Sequence, residues 1–559
     1  MTAQPPAAEP TAAAAGMPPG DPAATGAPTG QAPRRLAVAT AIFAVATGLS
    51  RIAGLAREVV AASYFGTSGP ASAFTFAFQL PNLVRALVAD AALSSAFVPV
   101  FSDLLERKRR KEAAALAGSL FGLILVVLGA LTLFFILMAG VIVPPLTGDA
   151  FTPALDALTT GLTRVLFPIV VLLGLNGLVV GILNAHDHFS VPAISPLVWN
   201  LVIIAALVGL TPLFEGDERL YAYAIGVLLG TIVQFAMALP VLRRIGFPLR
   251  IGFDARDPRI GQVLKLMLPV TIGLGLINVN LLINSTLGTA ISDQASRAID
   301  AAFRIYMLPQ GMFSVAVATV LFPALSRLAS RRDLAGLRAA TGNGTRQIAL
   351  LLIPSAAATI ALAVPITRLV FERGAFDAES TRLTAEALFW FSFSLPFSGI
   401  NLLLTRTFFS LQRPWLPTGL AVGSLVVNLV AALALYRPFG IGGIVAATAI
   451  STAAMTAGQA YFLRGELDGI ELRRTLAALA KIGLAAAAFG AAAYAGWRGL
   501  DEVVGRSLPA QLVSVGTALA AATSVYVGLV LLMRIPEADQ IADLLTARLR
   551  RRRRAAAAS

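Results

Sequence analysis

Long apolar stretches alternate with short polar segments along almost the whole chain of 559 residues. Each stretch is long enough to cross the roughly 30 Å of hydrocarbon in a bilayer as a helix. The pattern therefore predicts an all-α polytopic membrane protein with about fourteen transmembrane helices. The predicted spans lie at about 36–65, 71–104, 114–145, 153–184, 190–212, 219–242, 260–290, 295–328, 345–371, 380–411, 415–436, 440–463, 474–498 and 508–533.

Three short motifs recur in the same order, which indicates an internal repeat. Because each repeat unit contains an even number of spans, the two halves are predicted to be parallel six-helix lobes that face a central cavity. Spans 13 and 14 fall outside the repeat and form a C-terminal pair. The matching segments are 78–82 with 306–310, 97–104 with 321–328, and 198–202 with 426–430, at offsets of 228, 224 and 228 residues.

The spans, the repeat and the local composition together predict six segments. Residues 1–35 are rich in Ala and Pro and are expected to be a disordered cytoplasmic tail, because they contain almost no large apolar side chain to bury. The other predicted segments are 36–242, the N-lobe with helices 1–6; 243–259, a basic cytoplasmic linker; 260–464, the C-lobe with helices 7–12; 465–533, helices 13 and 14; and 534–559, a basic cytoplasmic tail.

The few charged residues fix the predicted orientation. Only 13% of residues are charged, against about a quarter in soluble domains, and the net charge is +14. Basic residues collect in the loops after even-numbered spans and at the C-terminus, so these loops and both termini are predicted to be cytoplasmic. The C-terminal arginine run at 550–554 is interpreted as contact with anionic membrane lipids, and no nucleic-acid partner is expected.

Several kinds of chemistry find little support in the residues. The chain has no cysteine, which excludes disulfides and thiolate chemistry, and its two histidines lie in one short predicted turn, at His186 and His188. No nucleotide-binding, kinase or hydrolase motif is present. Asparagines in the spans, such as Asn284 and Asn428, can either coordinate a cation or form hydrogen bonds between helices, and the second use is the more common one.

Six charged residues lie in or near predicted spans, where an ionised side chain is unfavourable. One interpretation pairs them locally and lets some guanidinium groups reach the membrane surface. The other places them around a cavity. Because a guanidinium binds phosphate bidentately and keeps its charge, the excess of arginine favours an anionic, phosphorylated substrate. The six are Arg51, Arg57 and Glu58 in span 1, Arg85 and Asp90 in span 2, and Arg304 in span 8.

Distinctive motifs occur between residues 36 and 420, most of them in the first two spans. They are 50–58 (SRIAGLARE), 73–85 (AFTFAFQLPNLVR), 90–99 (DAALSSAFVP), 182–184 (ILN), 189–192 (FSVP), 308–309 (LP, after Arg304), 321–326 (LFPALS) and 371–376 (FERGAF). In these motifs the sequence resembles the MurJ (MviN) family of lipid II flippases, within the multidrug/oligosaccharidyl-lipid/polysaccharide exporter superfamily. The resemblance implies fourteen helices in two lobes plus a terminal pair, which would supply a groove for the polyprenyl tail.

The resemblance also implies roles for the charged residues in the spans. Arg51, Arg57, Arg85 and Arg304 match the family's cavity arginines, and Glu58 and Asp90 match its acids. Two positions depart from the common pattern: Ser72 and Phe303 stand where many relatives carry an acid. A mechanism that needs a carboxylate at either position is therefore in doubt for this chain.

The expected function is that of a flippase in the bacterial cytoplasmic membrane, not an enzyme. It would move lipid II from the cytoplasmic to the outer leaflet by alternating access. No cofactor is expected, and a coupling cation and the membrane potential stay open as energy sources. The alternatives are an exporter of another polyprenyl-linked saccharide or of drugs, a membrane-embedded lipid-phosphate enzyme, and a scaffold of the cell-wall synthesis machinery. That machinery is also a candidate partner of a flippase.

Overall fold

The computed structural model describes residues 31–88, 91–186, 188–247, 251–252, 254, 257–538 and 540. Side chains are described from residue 45 onward within these ranges, except at 87–88, 91–95, 269–270 and 273–274. All regular structure in the described part is helical. The α-helices are α1 (Gln31–Phe65), α2 (Gly69–Val88), α3 (Ala91–Glu106), α4 (Arg110–Ile142), α5 (Pro153–Leu166), α6 (Ile169–Ala185), α7 (Ser190–Leu210), α8 (Arg219–Arg244), α9 (Pro258–Ile291), α10 (Ala295–Pro309), α11 (Val315–Ser330), α12 (Leu334–Ala361), α13 (Ala363–Phe371), α14 (Ala378–Ser410), α15 (Trp415–Glu466), α16 (Leu472–Val504) and α17 (Leu508–Leu532).

The predicted membrane architecture is confirmed. Each predicted span corresponds to one helix, to two consecutive helices or, for spans 11 and 12, to one half of the bent helix α15. Spans 2, 4, 8 and 9 are each divided into two helices. Ten helical stretches in the described part are long and apolar enough to cross a membrane, and α15, with 52 residues, is one of them. The chain is a multi-pass membrane protein.

Proline or glycine lies at three of the breaks and bends within the spans, whereas the break between α12 and α13 falls at Leu362. Pro168 separates α5 from α6, because a proline has no N–H for the helical hydrogen-bond ladder. In α15 the chain bends at Gly440, which has φ 55° and follows Pro438. A π-helical turn at Gln310–Ser314, directly after Pro309, joins α10 to α11. Such turns often mark functional sites.

Three large clusters of buried apolar side chains and one small one hold the described part of the bundle together. The first joins α1–α8 and the start of α9, the second joins α10–α15 and includes Ala62 of α1, the third packs α12 against α16 and α17, and the small one contains Ala73, Phe151 and Leu155. We refer to α1–α8 as the first lobe and to α9–α15 as the second lobe, although α9 also packs against α2 and α3. The exact domain boundaries stay predictions.

The two lobes are joined at one end of the bundle by a seam of main-chain and hydroxyl contacts. The Ala375 N–H donates to the Ser63 carbonyl at 2.8 Å, and the Gly148 N–H donates to Thr289 Oγ1 at 2.9 Å. Thr67 Oγ1 lies 2.9 Å from Ser380 Oγ. Among the described residues, most hydrogen bonds between the two lobes lie in this interlobe seam or in the charged cluster next to it. At the other end, Arg259 Nη1 at the start of α9 donates to Glu112 Oε2 at the start of α4 at 2.7 Å.

Glycines allow the lobes to approach this closely. A Cβ on Gly148 would lie 2.4 Å from Ala290 Cα, and a Cβ on Gly374 would lie 2.2 Å from the Ser63 carbonyl oxygen. Both distances are far below van der Waals contact. Gly374 also has φ 60°, a conformation that glycine adopts without strain. The seam therefore depends on the absence of side chains at these positions.

Candidate functional site

A cavity lies between the lobes, next to the interlobe seam, and encloses about 590 Å³ including the part open to solvent. Its walls come from α1, α2, α8, α9 and α10, so helices of both lobes contribute. The charged lining residues are Arg57 and Glu58 on α1, and Arg297, Asp300 and Arg304 on α10; the other lining residues are Phe74, Thr75, Phe78, Gln79, Asn82, Tyr223, Val227, Asn278 and Leu281.

The Glu58 carboxylate lies at the centre of the charged cluster. Its Oε1 accepts a hydrogen bond from Arg57 Nη2 at 2.5 Å, and its Oε2 accepts one from Arg297 Nη1 at 3.3 Å. Arg304 Nε lies 4.0 Å from Glu58 Oε1. Arg57, Glu58 and Arg297 are all more than nine-tenths buried. The contact between Glu58 and Arg297 joins α1 to α10, and therefore joins the two lobes.

The second-lobe half of the cluster lies on one face of α10. Positions 297, 300 and 304 are three and four residues apart, so their side chains are neighbours on the helix surface. Asp300 accepts from Arg297 Nη1 at 3.1 Å and from Arg304 Nη2 at 3.2 Å. The sequence pattern predicts Arg304 as a site residue, but Arg297 and Asp300 are not among the predicted site residues. The signal was available, because three charges with this spacing on a largely apolar helix form a stripe.

The cluster retains an unbalanced positive charge. Three arginines face two carboxylates in the cavity wall, which gives a net charge of +1. In addition, Nε of Arg57 and Nε of Arg304 have no hydrogen-bond acceptor among the described residues. A buried guanidinium donor without an acceptor is unfavourable, and an anionic ligand would supply the missing acceptor. The arrangement has the chemistry of an anion-binding site.

Two other predicted site residues, Arg51 and Arg85, do not line the cavity. Arg51 is exposed on α1, where its guanidinium approaches Gly311 in the π-helical turn. Seven residues along a helix correspond to about 10 Å, so Arg51 and Glu58 share a face without meeting. Arg85 Nε donates to Asn82 Oδ1 at 3.3 Å, and Asn82 lines the cavity. Asp90 lies outside the described residues.

His186 and two asparagines of the spans form hydrogen bonds within the described part of the chain. His186 Nδ1 lies 2.8 Å from the carbonyl oxygen of Ile182, in a turn at the end of α6. Asn284 on α9 donates to Thr448 Oγ1 on α15 at 3.4 Å, and Asn428 donates to the same hydroxyl at 3.2 Å from the other half of the bent helix α15. Among the residues that the structure describes, no group of three or more His, Cys, Asp or Glu side chains could hold a metal ion.

The family follows from a comparison with known sequences. The model of the family described as "Lipid II flippase MurJ" matches residues 61–513 of this chain. The chain belongs to the MurJ family. Among similar family members, "Lipid II flippase MurJ" of Burkholderia cenocepacia is 32% identical over 392 residues, covering 68% of this chain and 75% of that protein. "Probable lipid II flippase MurJ" of Synechocystis sp. is 28% identical over 543 residues, covering 94% and 99%.

Solved structures agree on the fold of this MurJ-family chain. A structure described as "Lipid II flippase MurJ, inward closed conformation" has a TM-score of 0.73 at 23% identity and covers 88% of this chain and 99% of that one. An inward-facing MATE-family multidrug resistance transporter of the MOP superfamily has a TM-score of 0.64 at 15% identity, covering 75% and 94%. At these identities the likeness concerns the fold alone.

Ser72 and Phe303, the two positions at which this chain departs from the common MurJ pattern, both make defined contacts in the structure. Ser72 Oγ accepts a hydrogen bond from the Arg297 main-chain N–H at 3.2 Å, across the two lobes. The Phe303 ring packs in the second core, 5.7 Å from the Tyr306 ring. Asp300, one helical turn before Arg304, supplies the carboxylate that pairs with that arginine. Arg304 therefore has a carboxylate partner on α10, although Phe303 stands at the position directly before it.

Proposed function

We propose that this MurJ-family chain is a lipid II flippase that moves the undecaprenyl-pyrophosphate-linked peptidoglycan precursor to the outer leaflet by alternating access. The observation that carries the proposal is the arginine cluster between the lobes, in which two guanidinium N–H groups have no acceptor. A pyrophosphate provides several oxygen acceptors of opposite charge. The known relatives named above are described as lipid II flippases, which supports the same substrate.

The charged residues have different roles in this proposal. Arg57 and Arg304 bind the pyrophosphate, because their Nε–H groups lack acceptors. Glu58 and Asp300 hold these arginines in place through the contacts described above. As proposed from the sequence, Arg51, Arg85 and Asp90 complete the substrate-binding set. Arg51 is suited to a first contact with the phosphate of a lipid head group, since it is exposed.

The interlobe seam suggests which side of the cavity opens. The seam lies beside the loop between α1 and α2, which the charge pattern of the loops predicts to be outside. In this proposal both termini are cytoplasmic, the outer end is closed, and the cavity receives lipid II from the cytoplasmic leaflet. Opening the seam and closing the other end would then release the head group outside.

The membrane potential is a sufficient energy source on electrostatic grounds. Two uncompensated negative charges that move outward across an inside-negative membrane gain about 4–5 kcal/mol per 100 mV. A coupling cation is the alternative source, and no bound cofactor is required. The two energy sources are distinguished by measuring lipid II transport in vesicles with an imposed potassium-diffusion potential and in vesicles without one. The cell-wall synthesis machinery, which consumes lipid II outside, is the proposed partner.

The proposal is tested with purified full-length protein in vesicles that contain fluorescent lipid II in the inner leaflet. We expect the protein to bring lipid II to the outer leaflet, and we expect Arg57→Gln and Arg304→Gln to abolish this transfer while Arg382→Gln does not. Arg382 is a matched control, because it is an exposed arginine paired with Glu379.

Two further substrates separate the alternatives. A polyprenyl-linked saccharide of a different structure and a cationic drug are tested in the same vesicles. The proposal requires lipid II to be transported in preference to both. Equal transport of the other saccharide would favour a broader exporter, and transport of the drug alone would refute the proposal.

A further inference from the structure

An aromatic residue outside the cavity wall supports one of its arginines. Trp199 lies on α7, which packs along α1 in the first lobe. The guanidinium carbon of Arg57 lies 4.9 Å from the centre of the Trp199 ring, which is the geometry of a cation–π contact. Because Arg57 is 8% exposed, little water screens this contact.

The orientation of the indole is itself fixed. Trp199 Nε1 donates to Thr231 Oγ1 at 3.1 Å, and that hydroxyl donates in turn to the Val227 carbonyl at 2.8 Å. Gly230 leaves the space that the indole occupies, since a Cβ there would lie 3.1 Å from Trp199 Cδ1. The ring is therefore held by α8 on one side and presents a face to Arg57.

The contact between Arg57 and Glu58 is less complete than arginine usually makes with a carboxylate. Such pairs commonly form two parallel hydrogen bonds. Here Nη2 of Arg57 bonds to Glu58 Oε1, while Glu58 Oε2 accepts from Arg297 and Arg57 Nε has no acceptor. A guanidinium that could turn would pair its second donor with Glu58 and lose its attraction for a ligand.

We propose that Trp199 is a positioning residue for Arg57. Its ring fixes the plane of the guanidinium, prevents a two-bond pair with Glu58, and so keeps Nε–H available to a pyrophosphate in the cavity. The proposal rests on the proposed function, because it assigns Trp199 to lipid II binding. Trp199 acts only through Arg57 and does not contact the substrate.

The test measures the dissociation constant of fluorescent lipid II for the full-length protein in lipid nanodiscs. Trp199→Leu removes the aromatic face and should weaken binding by about 10- to 30-fold, the equivalent of a desolvated cation–π contact. Trp199→Phe keeps a ring face and should weaken binding by less than about 5-fold. Trp415→Leu is the matched control, since Trp415 is 59% exposed on α15 and should leave binding unchanged.

A double-mutant cycle distinguishes positioning from a general packing defect. In an Arg57→Gln background, Trp199→Leu should have no further effect on lipid II binding, because the group that it positions is gone. An equal loss in both backgrounds, or unchanged binding by Trp199→Leu alone, would overturn the role of Trp199 while leaving the arginine site intact. If Arg57→Gln itself binds lipid II normally, both this role and the proposed site fail.

Discussion

Two buried arginine clusters in this molecule use the same residue types in opposite ways. In the cavity, three arginines meet two carboxylates, and two guanidinium N–H groups have no acceptor within the described part of the chain. At the base of the C-terminal helix pair, Arg346 of α12 meets two carboxylates instead. Its Nε bonds to Glu537, and its Nη1 donates to Glu471 Oε2 at 2.7 Å. Arg346 is 2% exposed and lies in no described cavity.

The difference lies in charge balance and open space rather than in burial. The Arg346 cluster joins α12, the start of α16 and the segment after α17, so it fastens the helix pair to the second lobe. Both Nε and Nη1 of its arginine have carboxylate acceptors within the protein. The cavity cluster keeps an excess of positive charge beside empty space. A buried arginine therefore indicates a binding site only when the protein leaves part of it unsatisfied.

The largest expected effect is on stability at the Arg346 cluster. Arg346→Met leaves Glu537 and Glu471 without their partner, and Glu537 is 1% exposed, so we expect the free energy of unfolding to fall by about 3–5 kcal/mol. Chemical denaturation in detergent measures this change. The protein that remains folded should bind lipid II normally. If Arg346→Met markedly weakened lipid II binding without lowering stability, the Arg346 cluster would not be purely structural, and the proposed difference between the two clusters would be wrong.

Arg304→Gln should show the reverse behaviour. Removing one charged donor from the pyrophosphate site is expected to weaken lipid II binding by about 10- to 100-fold. The midpoint of thermal unfolding should change much less than it does for Arg346→Met, because the wild-type cluster already has excess positive charge. Titration with fluorescent lipid II and a thermal unfolding curve, on the same preparation, test both halves of this statement.

The interlobe seam is expected to control how far the lobes separate beside the cavity cluster, and to be independent of the Arg346 cluster. Gly148→Ala places a Cβ 2.4 Å from Ala290 Cα, and we expect this overpacking to disfavour the closed seam by about 1–3 kcal/mol. Spin labels at Asp149→Cys and Glu379→Cys, in a chain without native cysteine, should then report a longer distance.

Gly129→Ala is the matched control, because a Cβ there meets nothing within 4 Å. It should leave the label distance unchanged. An unchanged distance in Gly148→Ala as well would show that the seam does not govern how far the lobes open at this end.

The smallest expected effect concerns an ion pair at the start of α9, outside the membrane. Hydrogen bonds from Arg259 hold the pKa of Asp257 below its usual value. A carboxyl whose pKa is lowered by folding contributes stability above its unfolded pKa, and this contribution is lost as the pH falls through the folded pKa. Asp257→Asn should therefore lower the unfolding midpoint slightly at pH 7, and this difference should shrink as the pH falls below the usual aspartate pKa of about 3.9. A difference that stays constant as the pH falls would contradict this cause.

The sequence was informative about the helices and only partly informative about the cavity. Apolar length predicts the spans, and charges deep within a span identify Arg57, Glu58 and Arg304. Arg297 and Asp300 lie three and six positions into α10, where a charge is expected to be near the membrane surface. Arg297 contacts Glu58, 239 residues earlier in the chain, and no local pattern encodes that contact. Trp199 was noticed only as part of a repeat motif, because an apolar residue in a span carries no signal of what it supports.

The central claim, that the cavity arginines bind the pyrophosphate of lipid II, is tested most directly by comparing two ligands. The dissociation constants of lipid II and of an analogue with an uncharged linkage in place of the pyrophosphate are measured for the wild type and for Arg57→Gln/Arg304→Gln. We predict that the wild type binds lipid II at least about 100-fold more tightly than the analogue, and that the double variant binds both equally. Preference for the pyrophosphate that persists in the double variant would contradict the claim.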